Sequence, residues 1–138
     1  MVVTWTPTMA RKFKTKLGDP SGQTSWEYLM LFLSLVTWAS QFRDGMLLIG
    51  DNVSSLAGVI NLRGRSVLNA ITKEIAWRRV RFGWRFAAGH LPTERNNMAD
   101  SLSRLAAPSG PDHAEFPDGL SDARARSAPD FDSLWVCS

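Results

Sequence analysis

The sequence predicts an α/β fold. Short apolar runs alternate with longer helical segments, and two of the runs, Met46 to Gly50 and Phe82 to Ala88, are separated by helical sequence. A strand, a helical crossover and a second strand in one sheet give parallel strands. With 138 residues and 44% hydrophobic content, the chain has enough apolar material for one core, and the unit expected is a single small domain followed by a tail.

Taken in order, Val2 to Thr6 is β-branched and aromatic, and its composition predicts a short strand,. A basic connection containing Gly and Pro runs on through Gly22,. Trp26 to Phe42 is apolar nearly all round, so the helix it forms should be buried on most faces,. At 17 residues, with Glu27 and several hydroxyls inside it, it is too short and too polar for a membrane span, which needs about 20 apolar residues. Met46 to Gly50 reads as a buried strand that stops at Asp51, with a helix through Ile60 behind it,. Arg63, Gly64 and Arg65 form a polar turn, and Ser66 stands where it can cap a helix over Val67 to Arg79,. Phe82 to Ala88 alternates aromatic and small residues and predicts the second strand, after which Asn96 or Asn97 caps a last helix through Leu105,. From residue 108 to 138 Pro, Ser, Gly and Asp dominate, with few large apolar residues before Leu134 and Trp135, so an acidic disordered tail is expected there,.

Charge is unevenly spread along the chain. The formal charge is +3, yet Asn61 to Arg95 holds eight basic residues against Glu74 and Glu94, a local excess of +6. From Ala106 onward six acids face Arg124 and Arg126, a local charge of −4. A basic block inside an ordered region fits either a polyanion partner or a solvated helix face. The single cysteine, Cys137, can form no internal disulfide and cannot complete a zinc set with His90 and His113,. Met1 to Lys16 has no apolar core region or small-residue cleavage site, so the expected setting is intracellular, cytoplasmic or nuclear, away from any membrane.

Three carboxylates stand at element boundaries: Glu27 in the first turn of the long helix, Asp51 past the first buried strand, and Asp100 in the first turn of the last helix. Strand ends and helix starts on one edge of an α/β sheet are where sites form. Carboxylates gathered there need divalent cations to neutralise them, and hard oxygen donors suit Mg2+ or Mn2+. Each acid also has a purely local explanation. Thr24 to Glu27 spells a capping box, Asp51 can be an N-cap, and Asp100 sits three residues behind Asn97,.

The segment Gly89 to Arg104, GHLPTERNNMADSLSR, shifts that balance. His90, Pro92, Asn96, Ala99, Asp100, Leu102, Ser103 and Arg104 follow the order and spacing of the closing motif of retroelement (retrotransposon) ribonuclease H domains, and the chain resembles that family. Gly50-Asp51-Asn52 and Glu27 extend the resemblance backwards, so that it covers about Val2 to Ala107. What it implies is a ribonuclease H-like fold, with a mixed sheet flanked by helices, and a metal-dependent endonuclease acting on the RNA strand of RNA–DNA hybrids. Glu27, Asp51 and Asp100 would be three of the four acids that hold two Mg2+ (or Mn2+) ions, and His90 would assist proton transfer and product release. Gln23, Thr24, Asn52 and Asn96 would contact the hybrid, with Arg63 and Arg65 on its phosphates, reading 2′-hydroxyls and helix shape rather than base sequence.

The family carries its first aspartate on a strand ahead of a glycine-rich hairpin, and this chain has no acid before Asp19, which lies in the connection GDPSG. If Val2 to Thr6 is the family's third strand, the first two strands and the fourth acid are expected from an upstream segment. A reverse transcriptase or an N-terminal ribonuclease H segment in a longer polyprotein would supply them, and this chain alone would cut weakly. Integrases and transposases share the fold and its acids, but end on a glutamate without the histidine ten residues ahead. A noncatalytic module that binds nucleic acid or braces a polymerase, and a structural remnant, are the readings from other classes.

Overall fold

A computed structural model of the chain describes residues 1, 3–105, 120 and 126–137, with side chains for all of these except 100 and 103–105. It mixes helices with one parallel strand pair, in agreement with the α/β class. Helix α1 (Pro7–Lys12) and helix α2 (Gln23–Trp38) precede strand β1 (Met46–Gly50). Helices α3 (Val53–Asn61) and α4 (Leu68–Phe82) then lead to strand β2 (Phe86–His90) and helix α5 (Asn97–Leu105).

The expected strand over Val2 to Thr6 is not formed by residues 3–6, which are irregular; Val2 lies outside the described residues. Thr6 instead caps α1, accepting from Met9 N–H at 3.3 Å, and Pro7 takes a first-turn place that costs no helical hydrogen bond,. Trp5 stacks on Trp26 with ring centroids 4.8 Å apart. The connection after it is therefore not irregular throughout: α1 buries Met9 and Ala10, and Phe13 behind it is 1% exposed. Asp19 caps a 3-10 turn over Pro20–Gly22, and the Ser21 N–H it accepts at 2.9 Å holds its carboxyl below the usual range.

Helix α2 starts three residues earlier than its apolar run, after Gly22, and passes into a 3-10 turn at Ala39–Gln41. Thr24 is thus inside the helix, and no capping box forms with Glu27. Ser25, Tyr28, Leu29, Phe32 and Leu35 recur at helical spacing and are buried,. Each large side chain removed from water in this way contributes roughly 1.5–3 kcal/mol.

Strand β1 has the bounds its sequence predicts, and it pairs in parallel with β2 in the register Met46 to Phe86 and Gly50 to His90. Only one of its faces is covered, which corrects the expectation of a strand buried on both. Leu48 is 4% exposed, whereas Leu47 and Ile49 are 59% and 56% exposed. Strand β2 lies further along than Phe82 to Ala88. Phe82 closes α4, Gly83 takes the left-handed conformation (φ 65°) that ends a helix, and Trp84 turns into the core,.

Asn52 caps α3, accepting from Ser55 N–H at 2.9 Å, and Leu62 ends it at φ 51°. Ser66 does not cap α4: it too has a positive φ (51°), and Val67 stands at the helix start without a side-chain cap. Helix α4 packs on α2, with the Tyr28 hydroxyl 2.9 Å from Thr72 Oγ1. Gly58 lets α3 approach the same tyrosine, since a Cβ there would lie 2.7 Å from its ring. Asn96 directly precedes α5.

The expectation of a disordered tail fails for its last described part. Residues 126–137 are placed, a 3-10 turn forms at Asp132–Leu134, and Leu134 is 1% exposed within the core cluster. Most of residues 108–125 lies outside the described residues. Among the described residues, no helix is long and apolar enough to cross a membrane.

Candidate functional site

Because β1 and β2 are parallel, both end on one edge of the sheet, and the backbone carries the pairing one step further through Leu91 N–H to Gly50 O at 2.9 Å. Helix α3 begins three residues past β1, and α5 begins beyond a 3-10 turn at Thr93–Arg95 that follows β2. These chain turns leave a cleft of about 470 Å3 against the N-terminal half of α2. Strand carboxyl ends in open α/β sheets are the usual place for such a crevice.

Glu27 and Asp51 both line this cleft, together with Gln23, Asn52, Ser55, Thr93 and Asn96; Met30, Leu31 and Ile49 form its apolar wall. Glu27 Oε1 accepts from Gln23 Nε2 at 2.7 Å, one helical turn back. Asp51 Oδ2 accepts from Thr93 Oγ1 at 3.3 Å. The local explanations for these acids therefore do not apply, since Glu27 belongs to no capping box and the α3 cap is Asn52. Asn52 nonetheless spends its Oδ1 on that cap, which leaves only its amide N–H groups for a ligand,.

Ser55, 1% exposed, was not among the residues singled out from the sequence, yet it ties the site together. Its N–H binds Asn52 Oδ1 and its hydroxyl donates to Thr24 O at 3.3 Å, fixing the start of α3 to the first turn of α2. The Asn-x-x-Ser spacing marks the cap, but the bond to a residue 31 positions away carries no local signal. Thr93 is likewise legible only once the strand ends are side by side. Thr24 contributes its carbonyl to that bond and does not line the cleft.

The other expected residues divide. Asn96 lines the cleft and its N–H donates to Thr93 O at 3.0 Å. His90 ends β2 opposite Gly50 and is exposed at the same edge, although outside the cleft lining. Asp100 lies in α5, whose neighbouring Ala99 lines the cleft; its side chain is outside the described residues. Arg63 and Arg65 are not brought to the cleft. They follow the far end of α3, a helix of nine residues and so about 13 Å from the Asn52 end,.

Among the described residues no Lys or Arg lines the cleft, and Glu27 and Asp51 face it without a cation from that set. The one ion pair among the described residues is elsewhere, between Glu74 and Arg78. Carboxylate oxygens with amide and hydroxyl neighbours are the donor set that fits Mg2+ or Mn2+. Among the described residues no three His, Cys, Asp or Glu side chains form a metal-binding group, and the Asp100 side chain is not one of those described. Comparison with family models, curated proteins and solved structures gives no match.

Proposed function

We propose that this chain carries a ribonuclease H-like site that degrades the RNA strand of RNA–DNA hybrids during retroelement reverse transcription. The observation that supports the reading best is the shared cleft. Glu27 and Asp51 come from separate elements, reach one crevice at the strand ends that no Lys or Arg among the described residues lines, and meet there the start of the helix that bears the Ala99-Asp100 pair. The motif from His90 to Arg104 supplies the chemical identity.

In this reading Glu27, Asp51 and Asp100 would hold the divalent ions, which would supply activation of water and stabilisation of the departing phosphodiester oxygen. Gln23 steadies Glu27 and Thr93 steadies Asp51, so both carboxylates are oriented before any ligand arrives,. His90, exposed at the same sheet edge, would assist proton transfer and product release. The amides of Gln23, Asn52 and Asn96 are within the crevice to bond 2′-hydroxyls in the minor groove of the hybrid,. Arg63 and Arg65, off the cleft, contact phosphates further along the duplex. The partners are the hybrid itself and an upstream polymerase or nuclease segment that supplies a further acid.

Hybrid cleavage and hybrid binding, measured side by side on the full chain, test this. Cleavage near background is expected with Mg2+, rising when an aspartate-bearing strand hairpin is fused ahead of Met1, and Asp51→Asn should abolish it while sparing binding. A noncatalytic module that binds nucleic acid is the second reading, which the basic excess over Asn61 to Arg95 would serve,. A folded fusion that binds hybrid and cuts nothing would select that module.

A further inference from the structure

The segment Phe131–Cys137 is held to the body by a set of contacts unlike those of a packed chain end. Asp130 folds it, accepting Ser133 N–H at 3.0 Å through Oδ2, and the resulting 3-10 turn puts Phe131, Leu134 and Trp135 on one side. Leu134 is buried, and Trp135 packs against Phe13 and Phe32 at centroid distances of 6.0 Å each, with Lys12 Nζ 4.0 Å from its ring. Aromatic and cation–π contacts of this kind select side chains.

Helix α4 contributes the second half of the grip, and it holds main chain rather than side chains. Arg78 Nη2 donates to Leu134 O at 3.1 Å, and Glu74 Oε1 accepts from Cys137 N–H. Glu74 is fully buried and makes its hydrogen bond through Oε1; its Oε2 is ion-paired with Arg78 Nε at 3.9 Å, and neither of these atoms nor Trp135 Nε1 has a hydrogen-bond partner among the described residues. Side-chain packing of Trp135 on Phe13 and Phe32, together with main-chain bonds to Glu74 and Arg78, is the form in which a short peptide is held in a groove,.

We infer that the groove between α1, α2 and α4 is a docking site for a short peptide bearing Phe, Leu and Trp at positions i, i+3 and i+4, closed in cis by this chain's own Phe131–Cys137. Glu74 and Arg78 read the peptide backbone; Phe13, Phe32 and Lys12 read the tryptophan. Being part of the same chain as the groove, the segment faces it at an effective concentration of about 1 mM. A free peptide of the same sequence must compete against that. The site does not depend on the nuclease reading, because none of these residues lines the cleft.

The test uses the full chain with a protease site inserted between residues 110 and 125, and a fluorescein-labelled peptide of residues 128–138 as probe. Before cutting, the apparent Kd should lie near the millimolar effective concentration; after cutting, it should fall to the peptide's own lower value. Ala in place of Leu134 and Trp135 in the probe should weaken binding by roughly thirtyfold or more. Equal binding before and after cutting, no binding after cutting, or unfolding of the remainder on release would each overturn the inference. In the uncut chain, amide exchange at Leu134 and Cys137 should proceed through an opening that leaves Leu29 and Phe32 protected. Exchange of all four in one event would make the segment a core element and refute the docking site.

Discussion

The two flanks of helix α2 are built for different ends. On one, Tyr28, Leu29, Phe32 and Leu35 are at most 1% exposed and meet α3, α4 and the C-terminal segment. On the other, Glu27, Met30, Leu31 and Ser34, also at helical spacing, line the cleft beside Asp51. The first flank removes apolar surface from water and supplies stability. The second presents two carboxylates to a cleft that no Lys or Arg among the described residues lines, an arrangement that suits a ligand more than it serves stability,. Substitutions on the two flanks should therefore fall into two groups: large stability losses on one, and functional losses at little cost in stability on the other.

The largest effect expected is from Phe32→Ala, which empties a site that is 0% exposed and should cost about 3–5 kcal/mol in chemical denaturation,. A loss under about 1 kcal/mol would break the contrast at its strongest point. Next comes Gly58→Ala, where the added methyl would lie 2.7 Å from the Tyr28 ring; overpacking of this kind costs about 1–3 kcal/mol,. Tyr28→Phe deletes the bond to Thr72 and should cost about 1 kcal/mol, since Thr72 keeps its bond to Leu68 O,.

The same tyrosine gives a pH signature. Burial pushes the Tyr28 hydroxyl above its ordinary value of 10.0, and the Thr72 bond only partly offsets this. A raised folded value means that stability is intact below about pH 10 and declines as pH rises toward the folded value. Tyr28 is the single tyrosine, so its alkaline absorbance titration should show a midpoint above 10 in the folded chain and near 10 after denaturation. The smallest change in stability is expected on the cleft side, where Asp51→Asn loses only one exposed bond to Thr93 and should stay within about 0.5 kcal/mol of the parent,.

This contrast also separates what could be read in the sequence from what could not. Strand β1, its parallel partner and the α/β class followed from apolar runs and their separation, because those patterns are local. Glu27, Asp51 and Asn96 were identified from their places at element ends and in the resembling motif, and all three line the cleft. Helix starts were misplaced where a local cap signal competed with packing. Thr24 and Ser66 have capping chemistry, yet α2 begins ahead of Thr24, and Ser66 adopts a positive φ. The short helix α1 was hidden in a basic stretch, although Thr6-Pro7 is a legible start. The docking of Trp135 and Cys137 rests on contacts with Phe13 and Glu74, more than 60 residues away, and no periodicity encodes it.

The most direct test of the account is where a divalent cation binds. Sub-stoichiometric Mn2+ added to the isotopically labelled chain should broaden the NMR signals of Glu27, Asp51 and Asn96 first, and Asp51→Asn should abolish that local broadening while leaving the spectrum folded. Broadening centred on the acidic residues from Asp112 to Asp132, or an Asp51→Asn spectrum that responds like the parent, would contradict the claim that this cleft is a metal site.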